Sequence, residues 1–193
     1  ENFTACAAAV ANLALENNVT DVAAIAELPY GNGQTVEEAR VSLVQKIGEN
    51  IQVRRVEVLE GSNLASYRHG LRIGVVVSFE GGNADTGKNL AMHIAAFNPV
   101  AVDDESVDAD LKKKKKDIIE AKARESGKPD NIVEKMIEGG LRKYLEEVTL
   151  LRQPYVMDNE KKVGDVLKAE GVKVLAFKRL EVGEGIEKKQ EDF

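Results

Sequence analysis

The spacing of apolar residues changes several times along the chain, and each change predicts an element. Residues 3–18 are alanine-rich, with Phe3, Val10, Leu13 and Leu15 as the larger apolar positions, which predicts a helix. ELPYGNGQ (27–34) interrupts that pattern with Pro29, Gly31, Asn32 and Gly33 and predicts a loop. In TVEEARVSLVQKIG, Thr35 is placed as N-cap, Glu38 completes a capping box, and Gly48 closes the helix. IQVRRVEVL then sets Ile51, Val53, Arg55, Glu57 and Leu59 against Gln52, Arg54, Val56 and Val58, an imperfect alternation whose β-branched content favours a strand. RIGVVVSFEG (72–81) predicts a more buried strand, and NLASYRHG its hairpin partner, turning near His69 and Gly70. NLAMHIAAFN (89–98) predicts a short helix ended by Pro99. VGDVLKAEG predicts a helix ended by Gly171, followed by the strand VKVLAFKRLEV.

From about Asp104 to Val148 the pattern is of another kind, dominated by Lys, Glu, Asp, Ala, Ile and Leu. SGKPD (126–130) marks a turn between two helices, with Pro129 near the start of the second. In that helix Ile137, Leu141, Tyr144 and Val148 follow at intervals of four, three and four residues, a narrow seam suited to its mate or to another chain. This charged helical hairpin reads as an insertion in an α/β chain. One phrase also recurs: Arg55, Glu57, Val58, Glu60 and Gly61 of RRVEVLEG return as Arg179, Glu181, Val182, Glu184 and Gly185 of KRLEVGEG. The repetition predicts two copies of one small α/β unit, each closing on the same strand, with the opening hairpin of the earlier copy expected upstream of Glu1.

Composition narrows the chemistry. The 193 residues are 43% hydrophobic and 31% charged with a net charge of −6, a globular balance whose field does not favour nucleic acid. One cysteine excludes an internal disulfide, and no apolar run reaches the length of about 20 residues that a membrane helix needs. The chain opens at Glu1 and closes on EDF, which reads as a piece of something longer. Cys6 sits in an alanine-rich helix without a local cation and reads as a structural thiol. The two histidines and one cysteine form no metal-ligand spacing, and GGNADTGKN has the wrong spacing for a phosphate loop and reads as a loop. The run Lys112–Lys116 spans about 400° of helix and so encircles it, which favours a solvated helix over a phosphate-binding face. His93, on a short helix, reads as a buried, hydrogen-bonded side chain. His69 sits at a turn, where side chains project outward. No catalytic constellation emerges, so the chain reads as a binding protein and not an enzyme.

Several segments in order resemble the bacterial-type translation elongation factor Ts family: KIGENIQVRRV (46–56), LEGSNLASYRHGLRIGVVV (59–77), LAMHIAAFNP (90–99), SGKPDNIVEKMIEGGLRKYLEEVTLLRQPYVMD (126–158) and FKRLEVGEGIEKKQEDF (177–193). The resemblance implies a guanine-nucleotide exchange factor that binds elongation factor Tu, loosens its Mg²⁺ and phosphate contacts and lets GTP replace GDP. The implied fold is α+β, with two related small α/β subdomains with antiparallel sheets and an inserted antiparallel helical hairpin. The expected division is residues 1–60 for an incomplete N-terminal core subdomain, 61–103 with 149–193 for the C-terminal one, and 104–148 for a dimerisation hairpin. Implied contacts with elongation factor Tu are Ile47, Gly48 and His69, with Ile137, Leu141, Tyr144 and Val148 as the dimer seam. No cofactor, metal, direct nucleic-acid partner or membrane is implied, and the expected location is the cytoplasm or an organelle matrix. The alternative is a structural or dimerisation module without exchange activity. The family's Thr-Asp-Phe-Val wedge and N-terminal helical domain are expected upstream of Glu1, which implies weaker binding and exchange. Gly140 stands where the family usually has arginine, and glycine within a helix costs roughly 0.5–1 kcal/mol.

Overall fold

Helix α1 (Asn2–Glu16) buries Val10 and Ala14, four residues apart and therefore on one stripe. It opens the first of two units, Glu1–Val58; the second begins at Leu59. The computed structural model describes residues 1–185; the stretch IEKKQEDF, placed above in the last core subdomain, lies outside the described residues.

In the first unit α2 (Val22–Ala26) is capped by Asp21, whose carboxylate accepts from the Ala24 N–H at 3.2 Å. The segment expected as a plain loop carries a two-stranded ribbon, β1 (Pro29–Gly31) and β2 (Gln34–Thr35). Asn32 and Gly33 turn it with φ of 54° and 76°, the positive values a two-residue hairpin turn requires. Helix α3 (Val36–Ile47) has the expected caps: Thr35 Oγ1 accepts from the Glu38 N–H, and Gly48 adopts φ 73° and donates to the Val44 carbonyl. Val10, Ala14, Ile25 and Val36 form the core, with Cys6 and Tyr30 packed at its edge. The strand expected over 51–59 does not form. No strand ladder among the described residues includes it, and a strand exists only through a neighbour's ladder. Val53 and Val56 nonetheless turn into the core.

The second unit begins with the expected hairpin, β3 (Leu64–His69) and β4 (Ile73–Glu80), in a register that sets His69 opposite Ile73. Helix α4 runs from Ala84 to Phe97, five residues earlier than the composition predicted. Asn83 caps it, accepting from the Thr86 N–H at 3.0 Å, and so recruits GGNADTGKN into a helix. Asn98, at φ 46°, ends it ahead of Pro99. Helices α5 (Ala109–Glu125) and α6 (Asp130–Val148) form the hairpin, followed by a 3-10 turn at Leu150–Arg152. A second small ribbon, β5 (Pro154–Tyr155) with β6 (Asp158–Lys162), was not expected. Helix α7 (Val163–Glu170) ends at Gly171, and β7 (Lys173–Glu181) completes an antiparallel sheet of order β3-β4-β7. The fold is thus α+β.

Alternation along β4 points Val75, Val77 and Phe79 at α4, where Leu90, Ala91 and Ile94 are fully buried. Contact is closest at Gly87: a Cβ there would lie 2.6 Å from two Phe79 ring carbons and 2.8 Å from Ala65. The two repeated phrases differ in structure, since 179–181 belongs to β7 whereas 55–57 is in no strand. Arg179 donates to the Ala95 carbonyl of α4 at 3.1 Å and pairs with Glu181, a framework role.

Candidate partner-binding surfaces

The sequence-derived candidates occupy three places. Ile47, 38% exposed, ends α3, and Gly48 turns the chain immediately after it. Backbone and side chain both fix this corner. The Gly48 N–H reaches the Val44 carbonyl at 2.9 Å. Arg40, about two turns before Ile47, donates from Nη1 to the Ile51 carbonyl at 2.7 Å. Its Nε and Nη2 meet both Glu37 carboxylate oxygens at 2.9 and 2.5 Å. Those hydrogen bonds hold the Glu37 carboxyl below its ordinary range and raise the guanidinium.

His69 is the last residue of β3 and lies exposed at the hairpin tip. The loop Gly70–Leu71–Arg72 turns there with Gly70 at φ 60°. Tyr67 lies two residues back on the same strand face, half-buried against the sheet core. Its hydroxyl stands 3.3 Å from His69 Nδ1, with the rings tilted by 40°. Leu71, missed by the sequence reading, is 79% exposed at this tip. The signal available was a large apolar residue next to the turn glycine.

The third place is α6. Ile137, Leu141, Tyr144 and Val148 are all half-buried, and the first three face α5. Ile137 and Leu141 join Val133 on the floor of a groove of about 560 Å³ between the helices, rimmed by Lys116, Glu120 and Glu134. Tyr144 receives Lys115 Nζ at 5.3 Å from its ring centre. Gly140 allows the helices to approach, since a Cβ there would lie 3.0 Å from Ile119 Cγ2. The hairpin's base is stitched by three backbone bonds: Val100 N–H to Val148, Leu150 N–H to Ala101 and Leu151 N–H to Val102. Asp104 adds an ion pair to Arg152 and accepts from Thr149 Oγ1.

His93 is fully buried, as expected, within a polar chain. The Val156 N–H donates to its Nδ1 at 3.1 Å, which leaves the proton on Nε2 to donate to Gln153 Oε1 at 2.9 Å. Gln153 then donates to the Glu147 carbonyl at 2.8 Å. Burial lowers the imidazole pKa, and the ring stacks on Phe97 at 4.5 Å. Cys6 is half-buried beside Tyr30, whose phenol is raised first by burial and then by Cys6. Among the described residues no group of His, Cys, Asp and Glu could hold a metal ion. No described helix is long and apolar enough to cross a membrane.

A family model described as Elongation factor TS matches residues 1–184. The chain is 90% identical over 193 residues to elongation factor Ts of Psychrobacter cryohalolentis, covering 100% of this chain and 66% of that protein. It is 78% identical over the same length to the corresponding factor of Psychrobacter sp. strain PRwf-1, again covering 66% of it. Elongation factor Ts of Acinetobacter baumannii ATCC 17978 is 65% identical over 191 residues, 99% of this chain and 65% of the relative. The chain spans somewhat less than two thirds of the length of these curated relatives.

Proposed function

The chain belongs to the elongation factor Ts family, and from that premise we propose that it is a guanine-nucleotide exchange factor for elongation factor Tu in translation elongation. The match over residues 1–184 carries this reading. Exchange breaks no covalent bond, so the function asks for protruding contacts and not for a nucleophile or a general base. The factor must bind nucleotide-free elongation factor Tu more tightly than the GDP form, and a preference of about 10⁴-fold corresponds to about 5.5 kcal/mol. A phosphate and Mg²⁺ site depends on exact placement of donors and ligands, so a few wedges that displace them could supply that difference. Ile47 with Gly48, and His69, are the wedges we assign. Both corners suit the role, as each is exposed at a turn, Gly48 bonded back to Val44 and His69 ending the β3–β4 ladder. Such a factor works in the compartment where translation occurs, here taken as the cytoplasm.

The division into a core subdomain at 1–60, a second at 61–103 with 149–193, and an inserted module at 104–148 belongs to the same proposal. We assign Ile137, Leu141, Tyr144 and Val148 of that module to a homodimer seam. A dimerisation module without exchange is the second reading, favoured by the groove beside Ile137 and Leu141.

The test is the release rate of fluorescent GDP from elongation factor Tu at increasing concentrations of this chain. Saturable acceleration is expected, with Ile47→Ala and His69→Ala each lowering its efficiency about tenfold, the effect of one well-placed contact of about 1.4 kcal/mol. Binding without acceleration would overturn the exchange reading in favour of the second.

A further inference from the structure

The corner at Ile47–Gly48 must keep its shape against a partner, and a guanidinium reaches across it to the chain that returns from it. We infer that Arg40 is a positioning residue for partner engagement, a clamp that sets the Ile47–Gly48 corner by tying α3 to the returning chain at Ile51. The inference rests on the exchange reading proposed above and deepens it.

Three observations support it. First, the Arg40 fork divides its donors between two structures: Nε and Nη2 grip Glu37 on its own helix, and Nη1 reaches the Ile51 carbonyl. Glu37 fixes the plane of the guanidinium, so Nη1 can aim its donors only within that plane. Planar, bidentate geometry of this kind is specific to arginine, and lysine cannot reproduce it. Second, the clamp brackets the corner closely. The residues between the Gly48 N–H bond to Val44 and the Ile51 carbonyl are Glu49 and Asn50, so little chain is left to wander. Third, the side chain is placed to be held: it is 21% exposed and lies beside Gln52 and Val53 in a small cleft shared with Val36. A surface arginine serving only solubility would have no reason to spend its donors in this way.

The inference predicts an effect on the corner and not on the unit as a whole. Arg40→Lys keeps the charge and most of the stem but loses the fork. The Gly48 backbone amide, bonded to the Val44 carbonyl at the corner, should exchange with solvent about tenfold faster, while those of α1 keep their protection. The concentration for half-maximal acceleration of GDP release should rise about five- to tenfold, the loss expected for one charge-assisted hydrogen bond. Glu37→Gln, which weakens the grip on the fork without touching Ile51, should give the same pattern at smaller size. The deciding measurement is the double-mutant cycle with Ile47→Ala. If Arg40 acts through the corner, Arg40→Lys has little further effect once Ile47 is truncated. If the two losses multiply, Arg40 acts elsewhere and the inference is overturned. Full exchange by Arg40→Lys also overturns it, with the exchange reading intact. A silent unaltered chain defeats both, and the two failures are thereby told apart.

Discussion

His93 and His69 are the only histidines in the chain, and their surroundings give them opposite properties. His93 accepts from Val156 and donates to Gln153, so both ring nitrogens are satisfied only in the neutral form. A second proton would have to enter on Nδ1, facing an N–H. Burial adds to this and lowers the pKa. In the unfolded chain the same imidazole takes a proton near pH 6.5. Below that point the unfolded state binds more protons than the folded one, so folding stability falls as pH falls. We expect urea unfolding midpoints to be level above about pH 6.5 and to decline toward pH 5. The decline should flatten in His93→Gln relative to the unaltered chain. Glu37 and Asp103 do not confuse the window: their pKa values are lowered, so their share of stability is lost only at more acid pH. An undiminished slope in His93→Gln would refute the assignment. His69, by contrast, projects from a strand end with Tyr67 as its neighbour, which leaves its outer edge available to a partner.

Among the elements, two helix glycines illustrate how packing decides the sign of one substitution. Gly139 lies within α6 with nothing within 4 Å of an added Cβ. Gly139→Ala should therefore stabilise by about 0.5–1 kcal/mol, the helix propensity difference, or raise Tm by about 1–4 °C. Gly87 lies within α4 with Phe79 ring carbons 2.6 Å from the same added atom. Gly87→Ala should destabilise by about 1–3 kcal/mol through overpacking, which outweighs the propensity gain. Thermal unfolding of the two variants side by side checks both signs. The same contrast explains what was legible in advance. The caps of α3 were readable because Thr35, Glu38 and Gly48 act within a few residues of each other. The β3–β4 hairpin was readable from the apolar run RIGVVVSFEG and the turn expected near His69 and Gly70. The early start of α4 was hidden because Gly87 argues against a helix unless Phe79 is known to lie beside it. The strand over 51–59 was over-read, as β-branched content supplies propensity but not a ladder, and no strand is assigned there. The ribbons at β1–β2 and β5–β6 pair too few residues for a period to show. Of the candidate surfaces, exposure at the two corners followed from turn residues, but the Arg40–Ile51 contact joins positions with no local sequence signature.

For the molecule as a whole, the issue is whether the charged hairpin serves another chain or the solvent. Its lysines spread around α5: Lys113, Lys114 and Lys116 are exposed, and Lys112 and Lys115 half-buried, so no single basic face results. With a net charge of −6, replacing Lys113, Lys114 and Lys116 by glutamine should leave exchange within about twofold. A steep loss with added salt would instead point to phosphate binding. The seam is a different matter. Ile137 and Leu141 remain half-buried after packing against α5, in a groove whose rim carries Lys116 beside Glu120 and Glu134. Both signs in one patch allow it to meet a copy of itself about a two-fold axis, where each charge finds its opposite. Ile137→Asp would place a carboxylate among acidic neighbours on an apolar floor, which a dimer could not bury. Sedimentation velocity should then show that the proposed homodimer of the unaltered chain has given way to monomer. Tyr144→Asp should do the same, since it also removes the ring under Lys115. Ile132→Asp serves as the control: it lies on the same helix, is 40% exposed and does not line the groove, so it should leave the size unchanged. Circular dichroism on each variant separates a lost interface from a lost helix. If Ile137→Asp keeps both its helix and the size of the unaltered chain, α6 meets only α5, and the seam is the interior of one hairpin.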